Sequence, residues 1–130
     1  MPSGVERPIL MCSIGSSSLF SAQRAAEQLY YSKHWPEEPA EVLRRRGFTI
    51  SERSLSVGWA RVLSRVDLRE KRVYLDGEAI ASYAAENGLS AEAVRRRALA
   101  HELGHVLLEH LSGAEAEAAA ERFAQLYCGY

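Results

Sequence analysis

The sequence predicts a single α+β domain in which helices pack on a small twisted sheet. Three observations lead there. Apolar residues recur with a helical period over 19–33, 90–111 and 114–127. Between them, over 59–66 and 72–75, the period shortens to two. The length, 130 residues, suits one domain that buries roughly two thirds of its unfolded surface.

Residues 1–18 carry Pro2, Gly4, Pro8, Gly15 and then three serines, and are expected to form an irregular lead-in. The domain proper is expected over 19–130. Leu19, Ala22, Ala25, Ala26, Leu29 and Tyr30 define one helix face, and Pro36 and Pro39 end that helix. A short helix follows from Pro39 to Arg46, with proline in its first turn and Gly47 as its stop. Phe48-Thr49-Ile50 reads as a strand. From Trp59 to Val66, Ala60, Val62 and Val66 alternate against Arg61 and Arg65, and a polar connector leads into Arg72-Val73-Tyr74-Leu75. The last two segments are expected to pair as a hairpin. A weak helix over 79–86 ends at Asn87-Gly88. Ser90 then caps a long helix that reaches Leu111, Ser112-Gly113 stops it, and a final alanine- and glutamate-rich helix runs from Ala114 to Tyr127.

Composition narrows the function classes. A net charge of -1 gives no global attraction to nucleic acid or to an anionic membrane. The triplets Arg44-Arg45-Arg46 and Arg95-Arg96-Arg97 lie in helices with acidic neighbours and read as solvated faces. Cys12 and Cys128 are far apart and form no C-x-x-C, which fits a reducing cytoplasm. Ile9-Leu10-Met11-Cys12 faintly resembles a lipoprotein cleavage site, but Met11 is too large and the apolar run too short.

The long helix contains His101-Glu102-Leu103-Gly104-His105, an H-E-x-x-H motif. Residues four apart stand on one helical face, so both imidazoles can reach one metal ion. Zinc suits such a site, because it accepts nitrogen and oxygen ligands and tolerates an open fourth position. Glu102, adjacent to the first histidine, can take a proton from a water at the metal and deliver it to a leaving group. The competing reading is an amphipathic helix with two core-facing histidines.

The motif supplies two ligands and a base, and the third ligand must come from elsewhere. His110 is nine residues from His101, about half a turn round the helix. A third histidine at metzincin spacing would fall on Leu111. The final helix returns antiparallel, bringing Glu117 and Glu121 back at roughly 7 and 12 Å beyond the turn, against roughly 10 Å for His105 before it. Rise alone separates neither, and both lie on one face.

H-E-L-G-H-x-x-L followed by Glu117-Ala118-Ala119-Ala120-Glu121-Arg122-Phe123-Ala124 resembles the ImmA/IrrE family of bacterial zinc metallopeptidases, which are gluzincin-like. The resemblance spans residues 19–127, with specific motifs only at these two places. It implies a minimal zincin-like fold, Glu117 as third zinc ligand, and Glu121 at a variable, solvated position. It also implies a protein or peptide substrate, such as a helix-turn-helix transcriptional repressor. The sequence departs from the family at Glu109, where histidine is common, and in the short segment between the motifs. Family members usually continue into L-L-x-P and often a further domain.

The expected function is therefore zinc-dependent peptide hydrolysis, with His101, His105 and Glu117 as ligands and Glu102 as base. Tyr74, Tyr127 and Tyr130 are candidates for stabilising the developing oxyanion. The alternative is a non-catalytic partner-binding module with structural zinc. The presence of Glu102 argues against it, since a structural site needs no base.

Overall fold

The computed structural model describes residues 13–58 and 61–130. Residues 1–12 of the lead-in, with Cys12, and Trp59-Ala60 of the expected strand lie outside them. In chain order, the elements are α1 (Ser13–Tyr31), α2 (Pro39–Arg45), β1 (Thr49–Glu52), β2 (Ser64–Asp67), β3 (Arg72–Leu75), α3 (Gly77–Asn87), α4 (Ala91–Leu107) and α5 (Gly113–Cys128). The class is α+β, as expected.

The sheet order is β1-β3-β2. The expected hairpin is present, with β2 antiparallel to β3 and Val66 opposite Val73. β1 pairs parallel to β3, with Ile50 opposite Val73. Val73 and Leu75 are fully buried beneath the sheet. The second strand is shorter than its alternating pattern, because Arg61 leaves the sheet to make a bidentate pair with Glu86 of α3 at 2.9 Å.

α4 is the central helix. It packs against α2, α3, α5 and the sheet, and buries Val94, Ala98, Leu99, Ala100, Leu103 and Val106. Its apolar positions therefore surround the helix instead of forming one stripe. Ser90 caps it, accepting from the Ala93 amide at 3.0 Å. The helix ends at Leu107, earlier than Leu111, because the turn at 108–110 tucks Leu108 back into the core. Periodicity cannot distinguish an apolar turn residue from a helical one.

α1 begins at Ser13, so the expected irregular segment is helical over its last residues. Ala22 and Ala26 bury against the core, and Glu27 of α1 pairs with Arg122 of α5 at 2.8 Å. Phe123, fully buried, centres an aromatic cluster with Trp35 (5.4 Å) and Tyr30 (6.2 Å). α3 starts two residues before its apolar pattern because Asp76 caps it. One Asp76 oxygen accepts from the Ala79 amide at 3.1 Å and the other from the Leu55 amide at 3.0 Å. These bonds hold the Asp76 carboxyl below its ordinary range. Gly88, at φ 65, closes α3 in the left-handed conformation that glycine adopts without strain.

Candidate metal centre

α4 and α5 approach more closely than side chains normally allow. A Cβ placed on Gly104 would lie 2.9 Å from the Ala120 Cα and 3.3 Å from its Cβ. A glycine on one helix and an alanine on the other set the separation that brings the glutamates of α5 over the histidines of α4.

Glu117 lies over both imidazoles. Its Oε2 is 2.9 Å from His105 Nε2 and its Oε1 is 3.2 Å from His101 Nε2. Ligand atoms of His101, His105 and Glu117 all lie within 4.8 Å of one another. Donors about 2.0–2.1 Å from a tetrahedral ion stand roughly 3.3 Å apart, so this spacing fits a common metal. The three expected ligands are brought together, and Glu109, His110 and Glu115 do not join them. His110 lies exposed in the turn after α4.

Glu121 is exposed, as expected, but it also reaches the site. Its Oε1 is 3.2 Å from His101 Nδ1, and its other oxygen is paired with Arg97. An ionised carboxylate only accepts, so Nδ1 of a neutral His101 carries the proton and Nε2 presents a lone pair. That lone pair then faces the Glu117 carboxylate at 3.2 Å. Two acceptors at that separation repel unless a cation lies between them or the ring is protonated. The donor set therefore fits a metal ion, with Glu121 holding the tautomer and orientation of His101. Arg97 in turn donates to the Tyr130 carbonyl at 2.6 Å. The two glutamates reach opposite nitrogens of the same ring, a distinction that helical rise does not carry.

Glu102 is buried beside the pair. Burial raises its carboxyl above the ordinary range, against the opposing effects of a Ser64 hydrogen bond and of the two histidines. Ser64, on β2, donates to Glu102 Oε2 at 2.5 Å. No local pattern reports this contact, which joins residues distant along the chain. The cleft over the site, about 270 Å³, runs between His101, Glu102, His105 and Glu117 on one side and Ser64, Arg65 and Val66 of β2 on the other. β2 is an edge strand of the sheet among the described residues.

The candidate tyrosines are engaged elsewhere. Tyr127 donates to the Glu37 carbonyl within the aromatic cluster, and burial raises its hydroxyl to about 12. Tyr130 donates to the Ala93 carbonyl at 2.9 Å. Tyr74 lies on the sheet between Arg53 and Arg65. Arg44, Arg45, Arg95, Arg96 and Arg97 each face a carboxylate, so the arginine triplets do not form a free basic patch.

No helix among the described residues is long and apolar enough to cross a membrane. Compared with known proteins, the chain matches no family model, no curated protein and no solved structure.

Proposed function

We propose that this protein is a zinc-dependent peptidase of the cytoplasm that hydrolyses a peptide bond in a protein or peptide substrate. A helix-turn-helix repressor or similar regulatory partner is the substrate that the motif resemblance implies. The observation that carries the reading is the Glu117 carboxylate set against the Nε2 atoms of both His101 and His105, with Glu102 buried alongside.

His101, His105 and Glu117 would hold the ion. Bound zinc supplies a Lewis acid for the scissile carbonyl and for the attacking water. Glu102 takes the proton as the water oxygen bonds to the carbonyl carbon. It returns that proton to the nitrogen as the C–N bond breaks. Its raised affinity for a proton suits both halves of the task, and the Ser64 hydroxyl holds one of its oxygens at the wall of the cleft. The edge of β2, unpaired among the described residues, offers backbone groups to an extended substrate, which would lie along the cleft as an added strand.

The test is Glu102→Gln. Wild type and variant should each bind about one zinc per chain, measured by elemental analysis. Against a proteome-derived peptide mixture, the wild type should generate new N-termini and the variant should be slower by about two orders of magnitude or more. Equal rates would overturn the assignment of Glu102, and absence of zinc from both proteins would overturn the site.

A further inference from the structure

We infer that the apolar cavity beside the metal cleft is a specificity pocket for a bulky hydrophobic side chain next to the scissile bond; this rests on the peptidase reading above. The cavity, about 410 Å³, shares Ser64, His101 and Glu102 with the cleft, so the two adjoin across these residues. It extends along α4 toward Ala98 and Val94 and is walled by Leu63, Tyr83 and Leu89. A strand added at the edge of β2 directs alternate side chains toward α4, and this is the space beneath that edge.

Two features choose the occupant. The first is uncovered apolar surface: Tyr83 is 39% exposed and Leu89 43% exposed at the wall of a cavity that already has apolar walls. An apolar side chain placed there removes its own surface and theirs from water. The second is charge. Arg97 and Glu121, which also line the cavity, are paired with each other, and Arg97 is further tied to the Tyr130 carbonyl. The pocket thus offers an acidic side chain no guanidinium that is free of a carboxylate. The volume accommodates leucine or phenylalanine, within the usual range for small-ligand sites.

The test uses zinc-loaded protein and two series of hydroxamates, N-acetyl amino-acid hydroxamates and their malonyl hydroxamate counterparts. Together they offer the side chain on either side of the chelating group. Each series carries hydrogen, isobutyl, benzyl, carboxyethyl or aminobutyl, and Kd is measured by calorimetry. In one series, isobutyl and benzyl should bind at least tenfold tighter than hydrogen, the scale expected for taking a leucine or phenylalanine side chain out of water. Carboxyethyl should bind no tighter than hydrogen. Leu89→Asp and Tyr83→Ala, at exposed wall positions away from the metal-holding residues, should each abolish most of that gain and leave the Kd of the hydrogen compound unchanged. A flat profile in both series, a preference for carboxyethyl or aminobutyl, or a preference that survives both substitutions would overturn the pocket while leaving the peptidase reading intact. Failure of the protein to take zinc, or of the hydrogen compounds to bind it, would overturn the peptidase reading and the pocket with it.

Discussion

Gly104→Ala tests whether helix separation sets the metal site. The added Cβ would meet the Ala120 Cα at 2.9 Å. Carbon–carbon contacts are optimal at about 3.5–4.0 Å, so α5 must withdraw by roughly 0.6–1.1 Å. Overpacking of this kind costs about 1–3 kcal/mol. Removing a glycine from a helix interior returns about 0.8–1 kcal/mol. The net loss of stability is therefore about 0–2 kcal/mol, and the variant folds. Metal binding is less tolerant, because ligand positions must hold within about 0.2 Å. Glu117 lies one turn before Ala120 on α5 and moves with it. Zinc affinity should fall at least tenfold, about 1.4 kcal/mol. Urea denaturation without metal gives the first quantity, and competition against a chromophoric chelator gives the second. Adding Ala120→Gly should restore little, since the closest atom, the Ala120 Cα, remains. A Gly104→Ala protein that is about 1 kcal/mol more stable and binds zinc as wild type does would refute the reasoning.

Three other outcomes are expected. Glu117→Ala should abolish measurable zinc binding, whereas Glu121→Ala should weaken it by about 10–100-fold, the usual effect of losing a carboxylate behind a ligating histidine; equal affinity in Glu121→Ala and wild type, by the same competition, would remove Glu121 from the site. Phe123→Ala should cost about 3–5 kcal/mol in urea denaturation, because a fully buried ring at the centre of the aromatic cluster leaves a cavity. The Asp76 carboxyl is held below its ordinary value, so its stabilising contribution is complete above the unfolded pKa, about 3.9, and disappears as pH falls through the lower folded value. Asp76→Ala should accordingly be less stable than wild type at pH 7, and the difference in urea midpoint should shrink below about pH 4; a gap that is constant with pH would contradict this.

His101, Glu102, His105 and the helix that carries them were legible because their information is local. Ser90 announced the start of α4, and a spacing of four placed His101 and His105 on one face. The choice between Glu117 and Glu121 was not legible from spacing, because both approach His101, Glu117 at Nε2 while also meeting His105 and Glu121 at Nδ1. Ser64 was invisible for another reason: its contact with Glu102 depends on how the sheet sits on α4. The same holds for Asp76, whose second oxygen reaches the Leu55 amide across the chain. The hairpin of β2 and β3 followed from sequence neighbours, while the parallel pairing of β1 with β3 is a long-range closure that no local pattern reports. The early end of α4 escaped because Leu107, Leu108 and Leu111 all seek the core, inside the helix or beyond it.

The proposed metal ligands and the proposed proton acceptor are assembled over different chain distances. His101 and Glu117 are separated by 16 positions and belong to successive helices, whereas Ser64 and Glu102 are separated by 38. Short-range contacts close at lower entropic cost and form early, so the α4–α5 hairpin is the part that zinc can nucleate. Docking of the sheet, which anchors the Glu102 oxygen, closes the longer loop at higher entropic cost. Under the proposed function, loosening the β2–α4 contact would leave a chain that holds zinc but hydrolyses slowly, so that control of activity would act through the sheet without releasing the ion.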